Sequence, residues 1–216
     1  VNLFTTSKAT FTLNPDVTVA LSQETDYPNT GQVVFRIDPS SATTFALRLR
    51  IPRWCQQATL KINGSAPVSV KPGKNYFEIK RKWNAGDVVT LEMPMDWRLI
   101  RGHQLQEGKV ALARGPVVYC LGTAQNEEIL KKYPNFNGLV IDPAAIGEPQ
   151  NDASIRPDGK KVKVKVRFEA GGAWSKGAPA EEVTFTEFID PTGIMTYVHT
   201  LDLNQAVEDE LITDCF

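Results

Sequence analysis

A chain of 216 residues is long enough for one large or two small domains with real hydrophobic cores. Apolar residues make up 42%, charged residues 23%, and the formal net charge is −1, so the basic excess of a nucleic-acid or anionic-membrane binder is absent. The apolar runs are only a few residues long, far short of a membrane span.

In chain order, the chain opens on Val1-Asn2-Leu3-Phe4, which reads as a strand. No basic n-region, apolar h-region or initiator Met precedes it, so the sequence reads as a processed or truncated piece of a longer product. Alternation with a period of two then dominates. From Thr43 to Ile51, the residues Phe45, Leu47, Leu49 and Ile51 share one face, with Thr44, Arg48 and Arg50 on the other. Phe77, Ile79 and Trp83 oppose Glu78, Lys80 and Lys82, and Val89, Leu91 and Met93 repeat the scheme. Val162, Val164, Val166 and Phe168 alternate with Lys161, Lys163, Lys165 and Arg167, whose charges read as the wet face of a strand. Such strict alternation marks half-buried antiparallel strands.

Turn chemistry separates these runs. Asn63-Gly64 between two short apolar segments predicts a two-residue hairpin, because both central positions take positive φ. Pro72-Gly73, Ala85-Gly86-Asp87 and Pro157-Asp158-Gly159 predict further reversals. Helix is scarce: Asn126 is placed to cap a short helix over residues 127–133, with acids first, Lys131 and Lys132 last, and Pro134 as the stop. A second short helix is expected over residues 204–211. Residues 134–160, rich in Pro, Asn, Gly and Asp, read as a long exposed excursion. The patterning lapses between Gly102 and Gly108, which divides the chain into residues 1–104 and 105–216. The expected fold is all-β: two consecutive antiparallel β-sandwiches of jelly-roll character with little helix.

Chemistry-bearing residues are sparse. Cys55, Cys120 and Cys215 are too few and too far apart for a disulfide framework or a Cys-x-x-Cys metal pattern, so Cys55 and Cys120 are read as small buried hydrophobes. A Cys55–Cys120 disulfide is the alternative for an exported parent. His103 and His199 stand alone, and no zinc set is assigned. Glycoside hydrolysis needs two carboxyls roughly 5–9 Å apart. Glu24 and Asp26, at i and i+2 of a strand, lie about 7 Å apart by strand rise. Yet Asp26-Tyr27-Pro28 reads as a strand end, while Glu181, Glu182 and Asp190 sit on patterns typical of solvated faces and turns. No Gly-x-Ser-x-Gly elbow is present. No catalytic residue is therefore assigned.

Four tryptophans have faces suited to stacking on sugars. Trp83 continues an apolar strand face and is expected in the core. Trp54 and Trp97 follow proline-bearing segments and are expected at a sandwich end or against a neighbouring domain. Trp174 lies in the glycine-rich stretch from Gly171 to Gly177 and is the one ligand-binding candidate.

The ordered segments Gln23-Glu24-Thr25-Asp26-Tyr27-Pro28, Leu49-Arg50-Ile51-Pro52-Arg53-Trp54, Ile62-Asn63-Gly64, Arg81-Lys82-Trp83 with Gly86-Asp87, Met93-Pro94-Met95 with Arg98, and the long run from Lys109 to Gly115-Pro116-Val117-Val118-Tyr119-Cys120 carry a resemblance. Together they resemble the C-terminal β-sandwich region of family-127-type glycoside hydrolases, whose characterised members are bacterial β-L-arabinofuranosidases. The resemblance implies a zinc-bound cysteine nucleophile and an acidic acid/base on a helical barrel. No adjacent Cys-Cys or Glu-x-Cys occurs in this chain, so those roles fall on no residue here, and no cofactor is expected within it. What the resemblance implies for this chain is an accessory region whose partner is the helical catalytic domain of the same polypeptide, acting on plant-type glycans. An apolar surface including Trp54 and Trp97 would then face that domain. The rival readings are a stand-alone carbohydrate-binding or adhesion module using Trp174 and Tyr133, and a cryptic enzyme with its site in residues 134–160.

Overall fold

The computed structural model describes residues 1–72, 76–169 and 180–209. The chain divides into two units, Val1–Met95 and Asp96–Phe216.

In the first unit a six-stranded sheet is built from β1 (Ser7–Asn14), β2 (Val17–Thr25), β3 (Gln32–Pro39), β5 (Ala58–Ile62), β6 (Val68–Val70) and β8 (Asp87–Glu92). Its order is β1-β2-β3-β8-β5-β6, with every neighbour antiparallel. A separate two-stranded sheet pairs β4 (Thr43–Leu49) with β7 (Phe77–Trp83). Alternation explains why the two sheets share a core. Val33, Phe35 and Ile37 of β3, Leu47 and Leu49 of β4, Ile79 and Trp83 of β7, and Val89 and Leu91 of β8 are all buried in one cluster. Trp83 is fully buried, donates from Nε1 to the Phe45 carbonyl at 3.1 Å, and lies under the Arg81 guanidinium. Its indole thus fills the core without leaving a polar atom unpaired.

The Asn63-Gly64 turn is present, with φ of 50° and 72° and Ser65 N donating to Ile62 O at 2.9 Å. It does not join strands directly, since β5 and β6 first pair at Leu60 and Val68. Asn63 instead reaches across to buried Asp87, donating from Nδ2 at 2.8 Å and accepting from Val88 N at 2.8 Å. Asp87 also accepts from Asn84 N at 2.9 Å. The Asn84 hydrogen bond holds the Asp87 carboxyl below the usual carboxylate range against the opposing effect of burial, with Asn63 and Arg81 assisting.

The second unit begins with β9 (Trp97–Arg101), which pairs with β10 (Lys109–Arg114). This pairing draws the division back to between Met95 and Asp96, ahead of the Gly102–Gly108 stretch, which is only a 3₁₀ turn at Gln104–Gln106 inside the unit. The chain continues through β11 (Val117–Gly122), α1 (Glu127–Lys132), β12 (Leu139–Ile146), β13 (Gln150–Asn151), β14 (Lys160–Phe168), β15 (Glu181–Glu187), β16 (Gly193–Met195), β17 (Tyr197–Thr200) and β18 (Ala206–Val207). The pairings close on themselves. β10 pairs β11, β11 pairs β15, β15 pairs β14, β14 pairs β12, β12 pairs β17, and β17 returns to β10. The second unit is therefore a closed six-stranded ring rather than a plain sandwich. Two of its pairings, β12–β17 and β18–β9, run parallel. Closure lets the inward residues, including Val110, Leu112, Tyr119, Leu121, Ile141, Val164 and Phe185, meet in one core without a covering second sheet.

Two expectations for this unit change. Residues 134–160 are not an excursion: Phe136, Leu139, Val140 and Ile141 are buried, and β12 runs through the middle of the segment. The Leu-Val-Ile run wins over its polar flanks, and Pro143 sits where the β12 register slips between Ile141 and Ile146. The expected second helix is a 3₁₀ turn at Leu203–Gln205 followed by β18, because Ala206 and Val207 lie beside Leu99 and Ile100. Residues 210–216 lie outside the described residues, as does Trp174.

Replacing Trp83 by Ala should cost about 3–5 kcal/mol. Chemical denaturation followed by the remaining tryptophans measures this, and a loss below about 1 kcal/mol would show that the β4–β7 pair does not seal the first core.

Candidate functional site

A cluster of chemistry-bearing side chains lies where β15 ends and turns into β16. Glu187, Thr186, Asp190 and Cys120 are all buried there. Arg156 grips Glu187 with two nitrogens, Nε on Oε2 and Nη2 on Oε1 at 2.7 Å, and Lys160 N donates to the same Oε1 at 2.9 Å. Asp190 accepts from Thr186 Oγ1 at 2.7 Å on one oxygen, and from Thr192 N and Oγ1, both at 2.8 Å, on the other. The Cys120 thiol donates to the Glu187 carbonyl at 3.7 Å, and a Cβ on Gly193 would stand 2.6 Å from its sulfur. Gly193 is required here because the β16 backbone crosses directly over Cys120.

The charge states follow from these contacts. Burial pushes the Asp190 carboxyl up, but the hydrogen bonds from Thr186 and Thr192 outweigh it and leave it below its ordinary value, with nearby Asp152 opposing. Asp152 is held low first by Ser154, against burial, with Lys161 at 3.3 Å assisting. Burial pushes the Cys120 thiol up and, together with the charge of Glu187, raises Tyr119 to about 12. A buried thiol held in its protonated form is a poor nucleophile at neutral pH, and each carboxylate oxygen of Asp190 and Glu187 already has a donor. The cluster is a latch that fixes the 188–192 turn from inside.

On the outside of that turn, Phe188 and Ile189 are 62% and 60% exposed. Phe188 lines a cleft of about 420 Å³ of mixed polar and apolar character with Gln106, Lys109, Ile194, Met195 and Tyr197. The buried polar latch thus holds two large apolar side chains outward, into water. A mainly apolar cleft, about 370 Å³, opens on the first unit, lined by Val1, Phe11, Leu13, Leu21, Phe45 and Leu47 among others.

The residues singled out in the sequence fall elsewhere. Trp54 is buried in the first core, stacked near Tyr27 with centroids 6.5 Å apart, so it presents little surface. Trp97 is half-buried, edge-on to Tyr119 at 5.0 Å, and donates to Gly147 O at 3.1 Å. Tyr133 lies flat on Phe168, with centroids 3.7 Å apart. Cys55 and Cys120 are each buried as thiols outside any disulfide, so the disulfide alternative falls. Glu24 is exposed and paired with Arg36 at 3.4 Å, and the Asp26 carbonyl accepts from Asn29 N in a tight turn. Glu182 pairs with Lys163 and Glu181 with Lys132, both at the surface of the unit. His103 meets Glu208 at 3.2 Å. Among the described residues no three His, Cys, Asp or Glu side chains converge on a metal position.

Asn126, expected as a helix cap, makes no cap bond. It is buried and clamps β15, donating to the Gly122 and Thr184 carbonyls at 2.9 Å and accepting from Thr184 N at 2.8 Å. The latch partners Arg156 and Glu187 escaped sequence reading because they are distant in the chain. The apolar pair beside Asp190-Pro191 was the available signal for the outward turn.

Because Asp87, Asp152 and Asp190 are depressed in the folded state, their stabilisation is full above about pH 4, the unfolded carboxylate value, and is lost as pH falls through the folded values. Thermal melts should be flat from neutral pH to about pH 5 and drop below about pH 4. Glu187→Gln, which strands Arg156, should cost about 3 kcal/mol at neutral pH by denaturant titration; an unchanged midpoint would remove the latch.

Comparison with known proteins assigns these two units. Residues 1–95 match the family model described as the β-L-arabinofuranosidase GH127 middle domain, and residues 100–185 match the glycoside hydrolase family 127 C-terminal domain. A non-reducing end β-L-arabinofuranosidase of Bifidobacterium longum subsp. longum is 33% identical over 138 residues, covering 59% of this chain and 20% of that protein. The crystal structure of Ara127N-Se, a GH127 β-L-arabinofuranosidase from Geobacillus stearothermophilus T6, superposes with a TM-score of 0.74 at 29% identity, over 92% of this chain and 33% of the other. A structure described as a glycoside hydrolase gives 0.76 at 27% identity, over 93% and 35%. The chain thus spans about a fifth of the curated relative and a third of the solved ones. Two consecutive domain matches, in the order the fold shows them, make this chain a member of glycoside hydrolase family 127, comprising its middle and C-terminal domains.

Proposed function

We propose that this chain is the non-catalytic accessory region of a β-L-arabinofuranosidase-like hydrolase of bacterial type, supporting a helical catalytic barrel that acts on plant-type glycans. The observation that carries the reading is the consecutive match to a middle and a C-terminal domain in a chain one third the length of its solved relatives. The outward apolar residues Phe188 and Ile189 of the second unit support it, since such side chains favour a protein partner over water. The apolar surface once expected at Trp54 and Trp97 is reassigned to these residues. In fold terms the reading treats the first unit as a jelly-roll-like sandwich, supported by a core shared between six-stranded and two-stranded sheets. The zinc of the family belongs, in this reading, to the catalytic domain.

The test compares this chain with the longer protein encoded by its gene. The longer protein should hydrolyse an aryl β-L-arabinofuranoside and lose activity to a zinc chelator, while this chain neither hydrolyses it nor binds stoichiometric zinc. Hydrolysis or zinc uptake by the 216-residue chain would overturn the proposal.

A further inference from the structure

The first residue does more than begin the chain. Arg50 N donates to Val1 O at 3.0 Å, and the nitrogen of Val1 donates to Arg48 O. Those two bonds flank Leu49 and form one rung of a parallel β-bridge between Val1 and the end of β4. Among the described residues β4 has one strand neighbour, β7, with Phe45 opposite Arg81, Leu47 opposite Ile79 and Leu49 opposite Phe77. Arg48 O and Arg50 N both face Val1, so by strand alternation the backbone groups of Thr44, Ala46 and Arg48 point toward the open edge on which Val1 sits.

That open edge borders the 370 Å³ apolar cleft. Its floor comes from the large sheet, where Phe11 pairs with Val19 and Ala9 with Leu21, so that Phe11, Leu13 and Leu21 turn toward the core side but beyond the cover of β4. Phe11 and Leu13 are each 39% exposed. Two strands cannot cover six, and the uncovered part lies beside the unpaired edge of β4. The Val1 ammonium is partly desolvated at this rung, and burial lowers its pKa. A peptide N–H in the same position makes the same bond without an ionic charge to desolvate.

We propose that, in the full-length protein, the residues immediately before Val1 form a strand parallel to β4 along its open edge, which fills the cleft and completes the second sheet of the first unit. The inference rests on the reading of this chain as part of a longer family-127 protein. Register follows from the existing rung. The second residue before Val1 donates its N–H to Ala46 O and accepts from Arg48 N, and the fourth does the same with Thr44 O and Ala46 N. Val1 packs against the core, so the second and fourth residues before it point inward over Phe11, Leu13 and Leu21 and are apolar. The strand that links the units to the preceding domain is thereby part of the sandwich itself, a case of strand addition within one polypeptide.

The experiment is hydrogen–deuterium exchange on the 216-residue chain and on the longer protein encoded upstream of Val1. The amides of Ala46 and Arg48 should exchange at least about tenfold more slowly in the longer protein. A proline at the second residue before Val1, which removes the N–H bonded to Ala46, should reverse the protection while the amides of β8 stay slow. Unchanged exchange at Ala46 and Arg48, charged residues at the two inward positions, or no polypeptide encoded before Val1 would each overturn the inference. Arabinofuranosidase assay of the longer protein judges the functional reading separately: inactivity with protected β4 amides sinks that reading alone, and activity with unprotected amides sinks only the added strand.

Discussion

A strand that alternates apolar and polar residues has one face that must leave water, and both units are answers to that constraint. The first covers a six-stranded sheet with a two-stranded one. The second curls its strands into a ring, so that every inward face meets another. The difference has consequences at the edges. Ring closure satisfies the backbone groups of its members with one another, whereas an open sandwich leaves β1 exposed along its length and β4 with one strand neighbour among the described residues.

Polar side chains work inside this frame as fasteners. Asp87 ties two turns of the first unit, Asn126 stands in for a strand neighbour beside Thr184, and the Arg156–Glu187 pair with Asp190 locks the exit from β15. Asp87, Asn126, Glu187 and Asp190 are each buried with their partners satisfied, which is the condition under which a polar group in a core rigidifies rather than destabilises. Their alignment lets the 188–192 turn hold Phe188 and Ile189 in water. The carboxylates and thiol nearest to each other are consumed by structure.

Much of the strand content was legible from the chain. The alternations around Phe45, Ile79, Val89 and Val164 define core faces that the structure retains, and the acids and lysines around Ile129 mark the short helix correctly. Local chemistry also identified Trp83 as core. It misread Asn126, because an Asn before a helix is a good cap in isolation, and it misread residues 134–160, because turn-forming residues on both flanks hid the buried Leu139-Val140-Ile141 run.

What the sequence by itself determined is the class of structure and its family, since period-two burial and ordered local motifs are properties of neighbours in the chain. What only the tertiary structure decided is how the strands associate. Ring closure depends on β11 meeting both β10 and β15. The latch needs Arg156 and Glu187 side by side, and the open edge of β4 is defined by which strand is not there. These are pairings between distant segments, set by competition among alternative partners for the same backbone hydrogen bonds, and no local pattern encodes the outcome.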